Sequence, residues 1–356
     1  MGSQLSNTTR RALLVLCCIL LAVGNCGGPL IMRLYFVHGG NRIWLSSFLQ
    51  TAGCPIILVP LVISYIFRRK NQDPTSQTTT RLTFMNLPVF VGASIIGLLT
   101  GACNYLAAFG IGHLPVSTMT LILATQLAFV ALFAFFLVRQ KFTAYSINAI
   151  VLLMLGAGVL AIHAGNDRPP GESKKLYVLG FLLTLASSAL YGLILPLIEL
   201  TYKKAKQGMN YTLVLEVQMV LCLVATVFCT VGMIINNDFK VIPREAREFQ
   251  LGETKYYMVL VWSGIIWQFF LFGATGIIFC ASSLFSGVMI TVLLPISQLL
   301  AVLIFHDKFQ AEKGVSLALS LWGSVSYFYG EWKQIKKNAR VQEPEMSQSY
   351  LPDVAP

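Results

Sequence analysis

The chain has 356 residues, of which 56% are hydrophobic and only 12% charged, with a mean hydropathy of +0.70. A soluble domain carries about a quarter charged residues, so this balance excludes one and identifies a polytopic membrane protein. The formal net charge of +11 does not point to nucleic acid, because Lys and Arg fall in loops and tails and not in a stripe on a folded face.

Apolar runs of roughly 17 to 25 residues, the length a helix needs to cross a bilayer, occur about ten times: 12–33, 43–67, 88–112, 116–138, 145–163, 177–200, 211–235, 256–280, 284–305 and 314–330. Backbone groups must be satisfied within each segment in lipid, and the alternating pattern of a barrel is absent, so the spans are expected as helices. The first run continues to Leu34, too long for a signal-peptide core. Within it, Gly24-Asn25-Cys26-Gly27-Gly28-Pro29 predicts either a broken helix on a transport path or a kink that lets another helix pack closely. Span two opens on Asn41-Arg42-Ile43-Trp44, with Trp44 expected as an interfacial anchor and Gln50 within reach of a pocket. Residues 71–80 read as a solvated loop. Spans three and four form a pair joined by a Gly112-His113-Leu114-Pro115 turn, with Asn104 and Tyr105 near the middle of one and Gln126 near the middle of the other. Between spans seven and eight, Pro243 to Phe249 read as a short helix along the membrane surface, and the residues from Asn338 on read as disordered.

An internal repeat sets the domain plan. Lys141-Phe142-Thr143-Ala144 and Lys308-Phe309-Gln310-Ala311 each follow a long apolar span, and at the same offset Leu152 matches Leu319 and Gly156 matches Gly323. The expected fold is all-α, with ten transmembrane helices in two five-helix halves; the odd number inverts the second half, an arrangement typical of secondary transporters. The boundaries are a cytoplasmic tail at 1–11, a first repeat at 12–163, a linker at 164–176, a second repeat at 177–330 and a disordered cytoplasmic tail at 331–356. Basic clusters modestly favour both termini in the cytoplasm.

No Lys, Arg or Asp lies within the span cores. The clearly internal acid is Glu216, and Glu199 sits at the end of span six. A carboxyl in the bilayer costs roughly 2.5 to 3.5 kcal/mol or more, which makes Glu216 a candidate proton-coupling group, with Glu199 a second candidate or the partner of Lys203 one helical turn on. Asn104, Gln126, Gln218, Gln268 and Gln298 supply carboxamides, while Tyr105, Trp267 and Trp322 supply flat rings. Carboxamides both donate and accept hydrogen bonds and rings stack, so this set suits a planar, neutral, nitrogen-rich ring. Phosphorylated substrates would call for Lys or Arg at the site. No ATP-binding loop, metalloprotease, CxxC or GxSxG motif is present, which argues against a built-in ATP-driven pump and against an enzyme. The eight cysteines fall inside spans and read as small buried hydrophobes, and the scattered histidines make no metal set.

Several motifs resemble the plant purine permease family of the drug/metabolite transporter superfamily. They are Gly24 through Leu30, Gly39-Gly40-Asn41-Arg42-Ile43-Trp44, Leu114-Pro115-Val116-Ser117-Thr118, Thr125-Gln126-Leu127-Ala128-Phe129, Leu215-Glu216-Val217-Gln218-Met219, Ile266-Trp267-Gln268 and Lys308 through Gly314. The resemblance runs nearly end to end. It implies a proton-driven importer, with no cofactor, for adenine, cytokinins and related heterocycles, often at the plasma membrane. Substrate contacts are then expected from Asn104, Tyr105, Gln126, Gln218, Trp267, Gln268 and Gln298, and proton coupling from Glu216 or Glu199. At Gln298 some relatives carry an acid, so its loss here bears on substrate range. The alternatives are a carrier for an alkaloid-like or vitamin B6-like substrate and a non-transporting membrane scaffold.

Overall fold

The structure, a computed structural model, describes residues 7–70, 85–115, 119, 122–123, 125–139, 143–163, 173–205, 211–305 and most of 311–333. Among the described residues every regular element is a helix. In chain order these are α1 (Asn7–Val37), α2 (Ile43–Ala52), α3 (Pro55–Lys70), α4 (Leu87–His113), α5 (Gln126–Phe133) running into a π-helical stretch (Ala134–Val138), α6 (Ala144–His163), α7 (Lys174–Lys204), α8 (Tyr211–Ile235), α9 (Asp238–Glu248), α10 (Glu253–Cys280) and α11 (Ser283–Phe305). Among the described residues seven helical stretches are long and apolar enough to cross a membrane, the α2 and α3 pair counting as one. Two shorter apolar helices, Gln126–Val138 and Ala144–Gly156, occupy the fourth and fifth expected spans. The expected all-α membrane architecture therefore holds. The predicted loop at 71–80, most of the linker and nearly all of the C-terminal tail lie outside the described residues.

Exposed Leu, Val, Ile and Phe side chains cover the outside of the bundle, among them Val59, Phe136, Val227 and Leu303, as expected where the solvent is hydrocarbon. Inside, packing follows small residues. α1 lies antiparallel along α10, and α4 runs between α7 and α8. The Gly24 to Pro29 segment does not break its helix: α1 is continuous from Asn7 to Val37 with Pro29 inside it. Its glycines instead admit α10, and of the two readings of this segment close packing is the one the structure shows.

The break falls in span two, where α2 ends at Ala52 and α3 begins at Pro55. Pro55 has no N–H for the helical ladder. At Gly53 a Cβ would come within 2.4 Å of the Gly264 carbonyl oxygen, so α10 presses on the chain at this turn. Trp44, at the start of α2, is partly buried. It packs on Tyr105 with ring centroids 4.1 Å apart and lies 6.1 Å from Phe228.

A buried polar network closes the end of the bundle where α1 finishes and α10 starts. Glu245 on α9 accepts hydrogen bonds from Tyr35 and, at 3.1 Å, from Tyr256. The Asn41 N–H lies 3.4 Å from its other oxygen and the Arg42 guanidinium 3.5 Å. Arg42 also pairs with Asp238 at 3.6 Å, and Asn236 donates to Asp238 at 2.8 Å. The helix expected on the membrane surface begins five residues earlier than Pro243 and turns Asp238, Glu245 and Ala246 inward. Burial lifts the Asp238 carboxyl above its ordinary range, and Glu245 adds to the rise, while Asn236 and Arg42 pull the other way. An acid raised on folding favours its protonated form, so its stabilising contribution is present at low pH and fades as pH climbs through the folded value. Asp238→Asn is accordingly expected to raise the melting temperature in detergent at neutral pH and to match wild type at about pH 4.

Candidate functional site

The bundle encloses a central cavity of about 80 Å³, walled by α1, α2, α4, α5, α7, α10 and α11. That is room for several waters. Three expected substrate contacts meet there: Asn104 from α4, Gln126 from α5 and Trp267 from α10. Two more carboxamides join them, Asn25 on α1 and Gln50 on α2. Both are polar residues within apolar runs, the signal that marked Asn104 and Gln126. No Lys, Arg, Asp or Glu is among the described lining residues.

The wall is held by side chains donating to main-chain carbonyls. Asn25 Nδ2 reaches the Ile290 carbonyl at 3.3 Å, and Ser297 Oγ returns to the Asn25 carbonyl at 3.4 Å, joining α1 to α11. Gln50 Nε2 reaches the Asn104 carbonyl at 3.4 Å, joining α2 to α4, and Ser187 Oγ meets the Cys103 carbonyl at 3.2 Å. By contrast, Asn104 Nδ2, Gln126 Nε2 and Trp267 Nε1 are buried without a hydrogen-bond partner among the described residues. A buried donor left unpaired costs about 1 to 3 kcal/mol. Three around one cavity are complementary to a ligand that brings acceptors.

The remaining expected contacts lie elsewhere. Tyr105 stacks on Trp44 outside the cavity lining. Gln218 is buried on α8, donating to Cys222 Sγ at 3.4 Å. Gln268, with no exposed surface, lies against the Cys222 thiol. Gln298 belongs to α11, but its side chain lies outside the described residues. Trp322 is 67% exposed on the outer surface of the bundle.

The two acids also separate. Glu216 is buried in the wall of a second space of about 660 Å³, a groove between α3, α4 and α8 whose other walls are apolar residues such as Leu61, Met85 and Met219, with Tyr65. Glu199 is at the end of α7, where it pairs with Lys203 at 2.8 Å and accepts the Ser283 N–H at 2.7 Å. It thereby caps the first turn of α11, where a negative charge also meets the helix dipole. Lys203 is more than half exposed, so that pair contributes little. Glu199→Gln, which keeps an acceptor for Ser283, is expected to leave uptake within about twofold of wild type. Glu199→Leu, which removes the acceptor, is expected to cost about 1 to 3 kcal/mol, read as a lower melting temperature.

Comparison with known proteins agrees with this picture. A family model described as purine nucleobase transmembrane transport matches residues 12–337. Purine permease 3 of Arabidopsis thaliana is 56% identical over 339 residues, covering 95% of this chain and 96% of its own length. Purine permease 2 of the same plant is 53% identical over 355 residues, with 97% and 98% covered. Probable purine permease 10 is 36% identical over 344 residues, with 96% and 87% covered. One solved crystal structure superposes on 90% of this chain and 97% of its own with a TM-score of 0.58 at 13% identity, a likeness of fold alone. The chain belongs to the plant purine permease family, whose members are membrane transporters and not enzymes.

Proposed function

We propose that this chain imports purine nucleobases such as adenine, and related planar heterocycles such as cytokinins, in symport with protons. The observation that carries the reading is the central cavity, free of charged side chains among its described lining residues and lined by Asn104, Gln126 and Trp267, whose buried donors have no hydrogen-bond partner among the described residues. An uncharged wall disfavours phosphorylated substrates, which need cationic partners. The donors suit ring nitrogens and carbonyl oxygens, while Tyr191 and Phe270 supply flat apolar faces.

The ten predicted spans, as two inverted five-helix halves, then rock about this cavity. α1, α2, α4 and α5 come from the first half and α7, α10 and α11 from the second, so the substrate sits where the halves meet. Coupling is assigned to Glu216, a buried acid in the wall of the groove between α3, α4 and α8, with Glu199 left to cap α11. Both termini are placed in the cytoplasm and the protein at the plasma membrane. The sequons at Asn7 and Asn210 are therefore expected to stay unglycosylated, read as a single unshifted band before and after glycosidase.

The test is uptake of labelled adenine at about pH 5 and about pH 7.5, with and without a protonophore, in yeast lacking its own purine importer. Wild type is expected to show acid-stimulated, protonophore-sensitive uptake. Gln126→Leu, which removes the carboxamide at near-constant volume, is expected to raise the apparent KM roughly tenfold, the worth of one good hydrogen bond. Glu216→Gln is expected to remove the pH response. Absence of adenine uptake by wild type present at the cell surface would overturn the purine reading, and Glu216→Gln uptake that still follows pH would overturn the coupling assignment.

A further inference from the structure

Trp267 is positioned in a way that a stacking role does not account for. A Cβ at Gly28 of α1 would lie 2.9 Å from Cε2 and 3.1 Å from both Cδ2 and Cζ2 of its indole. Near-equal distances to three successive fused-ring atoms mean that Gly28 sits over the face of the ring, because an approach in the ring plane would leave Cδ2 far behind. One face is therefore taken by α1. Phe270, one turn along α10, meets the ring edge-on at 5.6 Å and 81°. The indole is clamped between its own helix and α1; the residue lines the cavity, and its buried Nε1–H has no hydrogen-bond partner among the described residues.

Asn104 and Gln126, 8% and 5% exposed, complete a set of three unpaired donors around one space. The three are not equivalent. A carboxamide can turn over and offer its oxygen in place of its nitrogen, so Asn104 and Gln126 can adapt to a donor or an acceptor. An indole N–H only donates. Of the other polar side chains of the wall, Asn25, Gln50, Thr100, Ser187 and Ser297 already donate to main-chain carbonyls, and the Tyr191 hydroxyl, which can accept as well as donate, is not a fixed donor.

We propose that Trp267 is the specificity-determining donor of the site: its Nε1–H bonds one in-plane ring nitrogen of the substrate, and the two carboxamides adjust around that fixed contact. This rests on the purine reading above and deepens it. The substrate class becomes heterocycles with an unsubstituted sp² nitrogen at the position facing Trp267, and a ring carrying C–H there is discriminated against. Gly28 is a positioning residue, since the contact of its bare backbone with the ring face fixes where the N–H points. Discrimination of this kind is strong because a binding site built around a buried donor is left unsatisfied by the analogue that lacks the acceptor.

The experiment compares adenine with 1-deaza-, 3-deaza- and 7-deazaadenine, each of which replaces one ring nitrogen with C–H, as competitors of labelled adenine uptake. Wild type, Trp267→Phe and Gly28→Ala are measured at matched surface expression. Wild type is expected to disfavour one of the three analogues about tenfold or more. In Trp267→Phe, which keeps an aromatic ring and removes the donor, adenine is expected to weaken to the level of that analogue, while that analogue itself is unchanged. Gly28→Ala, which pushes the ring without removing the N–H, is expected to reduce the same ratio. An equal loss for adenine and all three analogues in Trp267→Phe would overturn the proposal in favour of a packing role, as would a wild type that does not distinguish the four rings. Failure of the purine reading looks different: wild type at the cell surface then takes up no labelled adenine at all, and the proposal falls with it.

Discussion

Gly24→Leu is expected to yield no folded protein, and Gly24→Ala to lose stability by roughly 1 to 3 kcal/mol, the usual cost of overpacking a tight contact. A Cβ at Gly24 would lie 2.3 Å from the Phe270 nitrogen and 2.5 Å from its Cα, and at Gly273 it would lie 2.4 Å from the Leu21 nitrogen and 2.6 Å from its Cα. These neighbours are backbone, so nothing can swing aside and the helices must separate. Gly276 meets Cys17 one turn further along in the same antiparallel register. In lipid there is little hydrophobic drive between helices, and close approach through small residues supplies the dispersion contacts that hold them. Separation would also carry Asn25 and Trp267 apart, since α1 and α10 contribute both to the cavity wall. Gly158→Ala is the control: a Cβ there meets nothing within 4 Å, and it is expected to behave as wild type. The measurement is the monodisperse fraction and melting temperature of detergent-purified variants. Wild-type behaviour of Gly24→Leu would mean that α1 and α10 do not pack through this seam.

The same segment shows what a single sequence does and does not carry. Run length alone located the seven stretches that are long and apolar enough to span among the described residues, because a helix in hydrocarbon must be long and apolar whatever it packs against. Mid-span carboxamides located Asn104 and Gln126, because a polar group in lipid needs a reason. Rotation about the helix axis decides which side chains of a helix share a face. Successive residues are about 100° apart on a helix, so Trp267 and Gln268, or Asn104 and Tyr105, project in different directions, and one of each pair lines the cavity. Glu216 and Gln218, two residues apart, point to nearly opposite sides, one to the α3 groove and one toward Cys222.

Other features had no local signal. The turn at Gly53 and Cys54 interrupts a run that is apolar on both sides, and it depends on Gly264, some 200 residues away. Pro243-Arg244-Glu245-Ala246-Arg247-Glu248 has the charge pattern of a solvated helix, and Arg244 and Glu248 do pair on the exposed side at 2.9 Å. Nothing in that pattern separates Glu245 from Glu248. Only the fold brings Tyr35, Arg42 and Tyr256 to one of the two acids.

Glu245→Ala is expected to be the most destabilising change among the charged residues, costing about 3 to 5 kcal/mol, the range for removing one partner of a buried ionic network. Glu245 is 7% exposed, and its loss leaves Tyr35, which is fully buried, without its carboxylate partner, and Tyr256 and the Arg42 guanidinium without theirs. The network ties α9 to α1, to the start of α2 and to α10, so its failure loosens the two helices that carry Asn25 and Trp267. Glu245→Gln keeps the volume and one acceptor oxygen and should fall between wild type and alanine. Tyr35→Phe and Tyr256→Phe remove one hydroxyl each while the carboxylate keeps other partners, and about 1 kcal/mol apiece is expected. Since the residues share one acceptor, the double variant Tyr35→Phe with Glu245→Ala should cost less than the sum of its parts. Melting temperatures of the four single variants and the double variant decide the matter. Additive losses would show that the hydroxyl and the carboxylate stabilise the bundle independently, whereas a shortfall of 1 kcal/mol or more would show that this end of the bundle is closed by one cooperative unit.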